Sequence, residues 1–153
     1  MRKWVHSVLL LSCACVATPA LAGGNAAAVL RPVHQFIDGM DAANAKASAA
    51  AFAPNASIID EFAPYHWQGD DAFAKWDADF GAWAKAGGVS DVFITLRKPK
   101  HLNVSADHAY AVVPTLITFR QKGKKMREHG TFTFALTETA TGWRIAAWAW
   151  ATK

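Results

Sequence analysis

The sequence predicts an α+β domain in which helices lie on one face of a strongly curved antiparallel sheet. Two observations carry this. Apolar residues recur at helical spacing in the first half, and after Gly88 only strand patterns remain. Those patterns are separated by short breaks, "AD", "KGK" and "TAT", which suit hairpin connections between antiparallel neighbours. The chain shows no internal repeat, no low-complexity tract and no second domain.

The opening "MRKWVHSVLLLSCACVATPALA" stands apart from the fold. Arg2 and Lys3 precede an apolar run from Val8 to Ala17, and Ala20 and Ala22 close it with a small-x-small pattern. This is the anatomy of a secretory signal peptide over 1–22, cleaved after Ala22. It is too short and wrongly flanked for a stable membrane span. A lipoprotein signal at Cys13, after "LLS", is the alternative. The domain then runs over 23–153, periplasmic or secreted, with no membrane insertion once the signal is removed.

The remaining 131 residues suit one core. Without Arg2 and Lys3, fourteen basic residues face twelve acidic ones. No basic stripe runs along the chain, so nucleic acid is not an expected partner. Both cysteines, Cys13 and Cys15, fall in the leader. The domain therefore has no internal disulfide, no thiolate metal ligand and no thiol nucleophile.

In "AAAVLRPVHQFIDGM", apolar residues at 29, 33, 36, 37 and 40 share one helical face. Pro32 places the helix start between Ala26 and Leu30, because proline is tolerated in the first turn. A short second helix, "KASAAAFA", ends at Pro54. "ASIIDEF" reads as a strand and "APYHWQG" as a loop. Asp70 and Asp71 stand where an N-cap belongs, ahead of "AFAKWDADFGAWAKAGG". Phe73, Trp76, Phe80 and Trp83 form its buried stripe, and Gly87 and Gly88 stop it. The strands follow: "SDVFITLRKPKHLNVS", "HAYAVVPTLITFRQ", "KMREHGTFTFALTE" and "GWRIAAWAWAT". Pro99 and Pro114 mark edges or bulges within them.

Three stretches in this order carry a resemblance: "AFAPNASIIDEF", "WQGDDAFAKWDADF" and "GWRIAAWAWA". Together they resemble the nuclear transport factor 2-like superfamily, which includes ketosteroid isomerase and the SnoaL-like proteins, over nearly all of the domain. The resemblance implies a cone-shaped sheet wrapped by N-terminal helices around an apolar pocket. It does not imply a reaction. In a gapless placement, "FAPNASIID" puts Asp60 at the isomerase's general base, the carboxylate that moves a proton next to a carbonyl. The same placement puts Phe36 where the isomerase has its oxyanion tyrosine. "HGTFTFAL" offers no carboxylic acid as second donor. Two of the three parts are absent, which argues against ketosteroid isomerisation itself.

Period-two alternation sets Ile58, Asp60 and Phe62 on one face of their strand. It sends Glu61 to the other face, outside the pocket or at its rim. His66 and His129 are the candidate proton partners for Asp60. No histidine pair has metal-ligand spacing, so neither a metal nor another cofactor is expected. Phe36, Met40, Ile58, Trp67, Trp76, Trp148 and Trp150 are the expected ligand contacts. Trp143 alternates with Ile145 into the core. Trp148 and Trp150 take the opposite face, with Arg144, as a pocket wall or an oligomer surface. "KGKKMR" reads as a solvated hairpin end.

Three functions compete. The first is a domain binding a small apolar or aromatic ligand. The second is an acid-base enzyme, an isomerase, dehydratase, cyclase or hydrolase using Asp60. The third is an interaction module forming a homodimer through Trp148 and Trp150. Convergence of Asp60, a histidine and two tryptophans on one cavity favours the enzyme. Apolar lining alone favours the binder, and indoles on the outer sheet face favour the interaction module.

Overall fold

The computed structural model describes residues 22–153, so the leader and Cys13 lie outside the described residues. Helix α1 (Ala22–Asp41) and the short α2 (Ala45–Ala49) precede β1 (Phe52–Ile59) and β2 (His66–Gln68). Helix α3 (Ala72–Gly87) follows, then β3 (Val89–Leu96), β4 (His101–Ser105), β5 (His108–Gln121), β6 (Lys124–Thr139) and β7 (Gly142–Thr152). The strands form one sheet in the order β2-β1-β7-β6-β5-β3, with β4 also paired to β5. Every pairing is antiparallel except β1 with β7, which is parallel. The sheet is curved and unclosed, and α1 and α3 pack inside its curve.

Several expectations need correction. Helix α1 is α-helical from Ala22, so Pro32 sits in its interior rather than its first turn. The ring is buried, and packing against the core offsets the backbone hydrogen bond that proline cannot make. Helix α2 stops at Ala49, and the chain is already a strand at Phe52. The expected loop "APYHWQG" contains β2, which pairs Ile58 with Trp67. The long segment around Pro99 is two strands, because the chain leaves the sheet between Leu96 and His101.

Helices α1 and α2 are locked at one point. The Ser48 hydroxyl donates to the Phe36 carbonyl at 2.9 Å, in a buried contact. Gly39 allows this approach: a Cβ there would lie 2.8 Å from the Ser48 backbone nitrogen. This fixes the turn of α1 that carries Phe36 and Met40.

Helix α3 begins after Asp71 and ends at Gly88 in the left-handed conformation, φ 65°. Asp71 makes no capping hydrogen bond and pairs instead with Lys75 at 2.9 Å. The Asp70 carboxylate accepts from the Asn55 backbone at 2.8 Å, tying the helix entrance to a bulge in β1. Phe73 and Trp76 are buried, whereas Trp83 is 46% exposed. The expected stripe therefore runs from the core out to solvent.

Candidate pocket and its acidic wall

The core narrows to a ring of aromatics around Phe36, which is 1% exposed. Phe36 stacks on Trp148 at 5.8 Å and meets Phe73, Trp76 and Phe132 edge to face. Above this floor opens a cavity of about 200 Å³. Its walls come from α1, α3, the loop after β1, and strands β3, β5, β6 and β7. Trp83 and Glu61 both line it and both are exposed, so they mark its mouth. There Trp83 stacks on Phe62 at 5.6 Å and on Phe80 at 5.8 Å.

Asp60 lines this cavity. Its carboxylate accepts from the Trp76 indole N–H at 2.9 Å and from the Glu61 backbone N–H at 2.8 Å. Its own backbone N–H donates to the Tyr65 carbonyl at 3.2 Å, closing the loop that holds it. Burial pushes its pKa above the usual carboxylate range. The two hydrogen bonds offset part of that rise, and the Glu61 charge adds to it.

The strand ends at Ile59, one residue before Asp60. Alternation therefore stops applying, and Glu61 lines the cavity beside Asp60 at its exposed rim, one of the two places expected for it. The Thr152 hydroxyl donates to the Glu61 carboxylate.

His66 and His129 do not join this group. His66 is exposed on β2, with its Nε2 3.0 Å from the Ser57 hydroxyl. His129 is exposed on β6, where Phe132, Phe134 and Leu136 set the inward parity. The same parity turns Gly130 and Glu128 inward, and Glu128 lines the cavity. Burial raises its pKa, the charges of Glu61 and Asp60 raise it further, and the Trp150 indole offsets part of the rise. Asp41, at the end of α1, is a fourth acid on the wall. Burial raises its pKa too, against the 2.9 Å hydrogen bond it accepts from the Ile94 backbone and with the Asp38 charge adding to the rise. Neither Asp41 nor Glu128 was among the residues expected from the sequence. Counting every second residue back from Phe132 would have found Glu128.

The four late-strand aromatic and aliphatic positions also correct the alternation. Trp143 and Ile145 point inward, as expected, but so do Trp148 and Trp150, at 2% and 9% exposure. A register shift separates the pairs Ala135–Ala147 and Leu136–Ile145, so Ala146 is an extra residue. This bulge reverses the parity of β7 midway and puts all four side chains on the core face. Both indoles line the cavity, which is the pocket-wall alternative rather than an outer-face oligomer surface.

Phe36, Met40 and Trp76 line the cavity as well. Ile58 and Trp67 do not: both are buried beside it, and the Trp67 indole donates to Asp79 at 2.8 Å. Among the described residues, no group of three or more His, Cys, Asp or Glu is placed to hold a metal ion. No helix among them is long and apolar enough to cross a membrane. The cavity thus combines an aromatic interior with hydrogen-bonded carboxyl groups of raised pKa, a combination suited to binding an organic molecule and to exchanging protons with it.

A family model for the SnoaL-like domain matches residues 29–149. No curated protein sequence matches the chain. Among solved structures, it is similar to a ketosteroid isomerase-like protein from Erwinia carotovora atroseptica SCRI1043, with 19% identity and a TM-score of 0.68 over 85% of this chain and 97% of that one. A hexachlorocyclohexane dehydrochlorinase of type 2 superposes with a TM-score of 0.71 at 13% identity, covering 85% of this chain and 86% of the other. An NTF2-like protein with a cystatin-like fold from Novosphingobium aromaticivorans reaches 0.68 at 17% identity, over 84% and 82% of the two chains. At these identities the likeness is one of fold.

Proposed function

The chain belongs to the SnoaL-like domain family, and from that premise we propose that its cone binds a small organic molecule of about one substituted ring. The cavity carries this reading. Its 200 Å³ lies below the roughly 300–1,000 Å³ of pockets for drug-sized ligands. Its lining is mostly apolar, with nine aromatic side chains, so burial of the ligand's apolar surface supplies the main driving force. Titration of the whole protein with single-ring compounds, followed by tryptophan fluorescence, tests the reading, because Trp76, Trp148 and Trp150 all line the wall. Saturable spectral shifts support it. Their absence across neutral, cationic and anionic rings refutes it.

A second reading, proton-transfer catalysis, has its own observation: Asp60 and Glu128 face one cavity, and burial raises both pKa values. Two carboxyl groups that disfavour simultaneous ionisation can divide the work. Asp60, held by two N–H donors, serves as the base that removes a proton next to a carbonyl. Glu128 in its acid form donates to the oxygen where negative charge develops. It would fill the donor role that "HGTFTFAL" and Phe36 leave open. Asp60→Asn would then abolish turnover while keeping ligand affinity within about tenfold. Affinity and turnover that are both unchanged refute the assignment of Asp60.

We also propose, from the leader alone, that the protein is exported and cleaved after Ala22. The mass of the mature chain checks this, and an acylated Cys13 at its start would refute it.

A further inference from the structure

We propose that the pocket selects a positively charged organic ligand, a protonated amine or quaternary ammonium on a single ring or short chain. This rests on the ligand-binding reading above and adds the charge of the ligand to it.

The lining is lopsided in charge. Among the described residues, Asp41, Asp60, Glu61 and Glu128 contribute to the wall, and no lysine, arginine or histidine does. None of the ion pairs among the described residues involves these four: the pairs are Lys75–Asp71, His108–Asp107 and Arg120–Asp91. Carboxylates beside apolar surface are costly unless a positive charge faces them. Asp60, Glu61 and Glu128 are close enough that the charges of the first two raise the pKa of the third. The protein offsets this with N–H and O–H donors, but supplies no cation of its own at the wall. A ligand that brings one is favoured over a neutral isostere. An anionic ligand meets the full repulsion.

The aromatic lining points the same way. Trp76, Phe80, Trp83, Trp148 and Trp150 surround the space. The Trp76 indole edge is committed to Asp60. Ring faces are the electronegative part of an aromatic system and attract ammonium groups, most strongly when water is excluded. A bare metal ion fits less well. Carboxylate oxygens must converge to within about 2.0–2.6 Å of a hard cation, and no such group of three exists among the described residues. An alkylammonium spreads its charge over a larger surface, suited to carboxylates distributed around a 200 Å³ space.

Isothermal titration of the full chain with benzylamine, benzyl alcohol and benzoate at pH 7.5 tests the proposal. The three probes are close in size and differ in charge. Benzylamine is expected to bind about tenfold or more tightly than benzyl alcohol, with benzoate undetectable. Glu128→Gln should weaken benzylamine about fivefold and leave benzyl alcohol within about twofold. Glu61→Gln, at the exposed mouth, repeats the comparison in case the first variant folds poorly. Benzyl alcohol or benzoate binding as tightly as benzylamine overturns the charge assignment while leaving the ligand pocket intact. So does benzylamine affinity unchanged in both variants. Failure of all three probes to bind overturns the ligand-binding reading and this proposal with it.

Discussion

The hydrogen bond from Trp76 to Asp60 holds the candidate base, and its strength can be measured without knowing any ligand. Trp76→Phe removes the indole N–H and keeps an aromatic ring in a site only 4% exposed. The smaller ring also leaves a void, so the single variant mixes two costs. A double-mutant cycle with Asp60→Ala separates them, because an asparagine oxygen would still accept the bond. A 2.9 Å bond to a charged acceptor has a range of about 1.5–3 kcal/mol. Asp60 is only partly buried, and water replaces some of what is lost, which lowers the expected coupling to about 1–2 kcal/mol. Urea denaturation of the four proteins at pH 7 gives the coupling directly. The bond favours the charged carboxylate, so its loss should raise the Asp60 pKa further in a carboxyl NMR titration. The coupling should shrink as acid protonates Asp60. A coupling below about 0.5 kcal/mol, or one equally large in acid, would refute the account of how Asp60 is held.

Trp76→Ala should cost about 3–5 kcal/mol, whereas Trp83→Ala at the open mouth should cost about 1 kcal/mol or less; equal losses would mean that the stripe is buried along its whole length. The raised pKa of Glu128 gives a signed pH dependence. Its stabilising contribution is present below the ordinary value of 4.5 and lost as pH rises through the raised one. Glu128→Gln should therefore raise the urea midpoint at pH 7 more than at pH 4, and the reverse order would contradict the burial of that carboxyl. Gly130→Ala would place a Cβ under the Trp150 indole and 2.7 Å from the Ala151 carbonyl oxygen. Overpacking of this kind costs about 1–3 kcal/mol, visible as a lower melting temperature, and a neutral result would mean that Trp150 is not seated over Gly130.

Local patterns made much of this architecture legible. The spacing of Phe73, Trp76 and Phe80 identified α3 and its inner face, and Gly88 stopped it where expected. The order of elements was sufficient for the fold class, because helices followed by hairpin-linked strands leave few layer arrangements. Site residues were legible only where one periodicity held throughout. Asp60 lines the cavity, but the strand ends before it and brings Glu61 to the same wall. That Trp148 and Trp150 share a face with Trp143 and Ile145 was not legible, since one bulged residue reverses a two-residue period. Pro32 misplaced the start of α1, because its local cost outweighed the tertiary packing that tolerates it. The parallel pairing of β1 with β7 joins segments about 90 residues apart and has no local signature. His129 drew attention as a residue type suited to proton transfer, although its neighbours' alternation already assigned the inward position to Glu128.

Pro114 bears on how this protein behaves when concentrated. On one side, β5 pairs continuously with β6; on the other, it pairs with β4 up to Val112 and with β3 from Thr115. Pro114 stands in the gap, where its carbonyl accepts from Arg97 and its missing N–H would face the departing chain. The outer border of the sheet is consequently broken into an eight-residue strand with its own irregularity and a five-residue strand. The opposite border is β2, three residues long. Neither border offers another chain a long, flat row of unpaired amides, so recruitment of further strands into fibres has little template to grow from. A domain with this much aromatic surface gathered into one cone would otherwise be a candidate for such growth. The interruption at Pro114 keeps the sheet finite on the side where its longest strands lie.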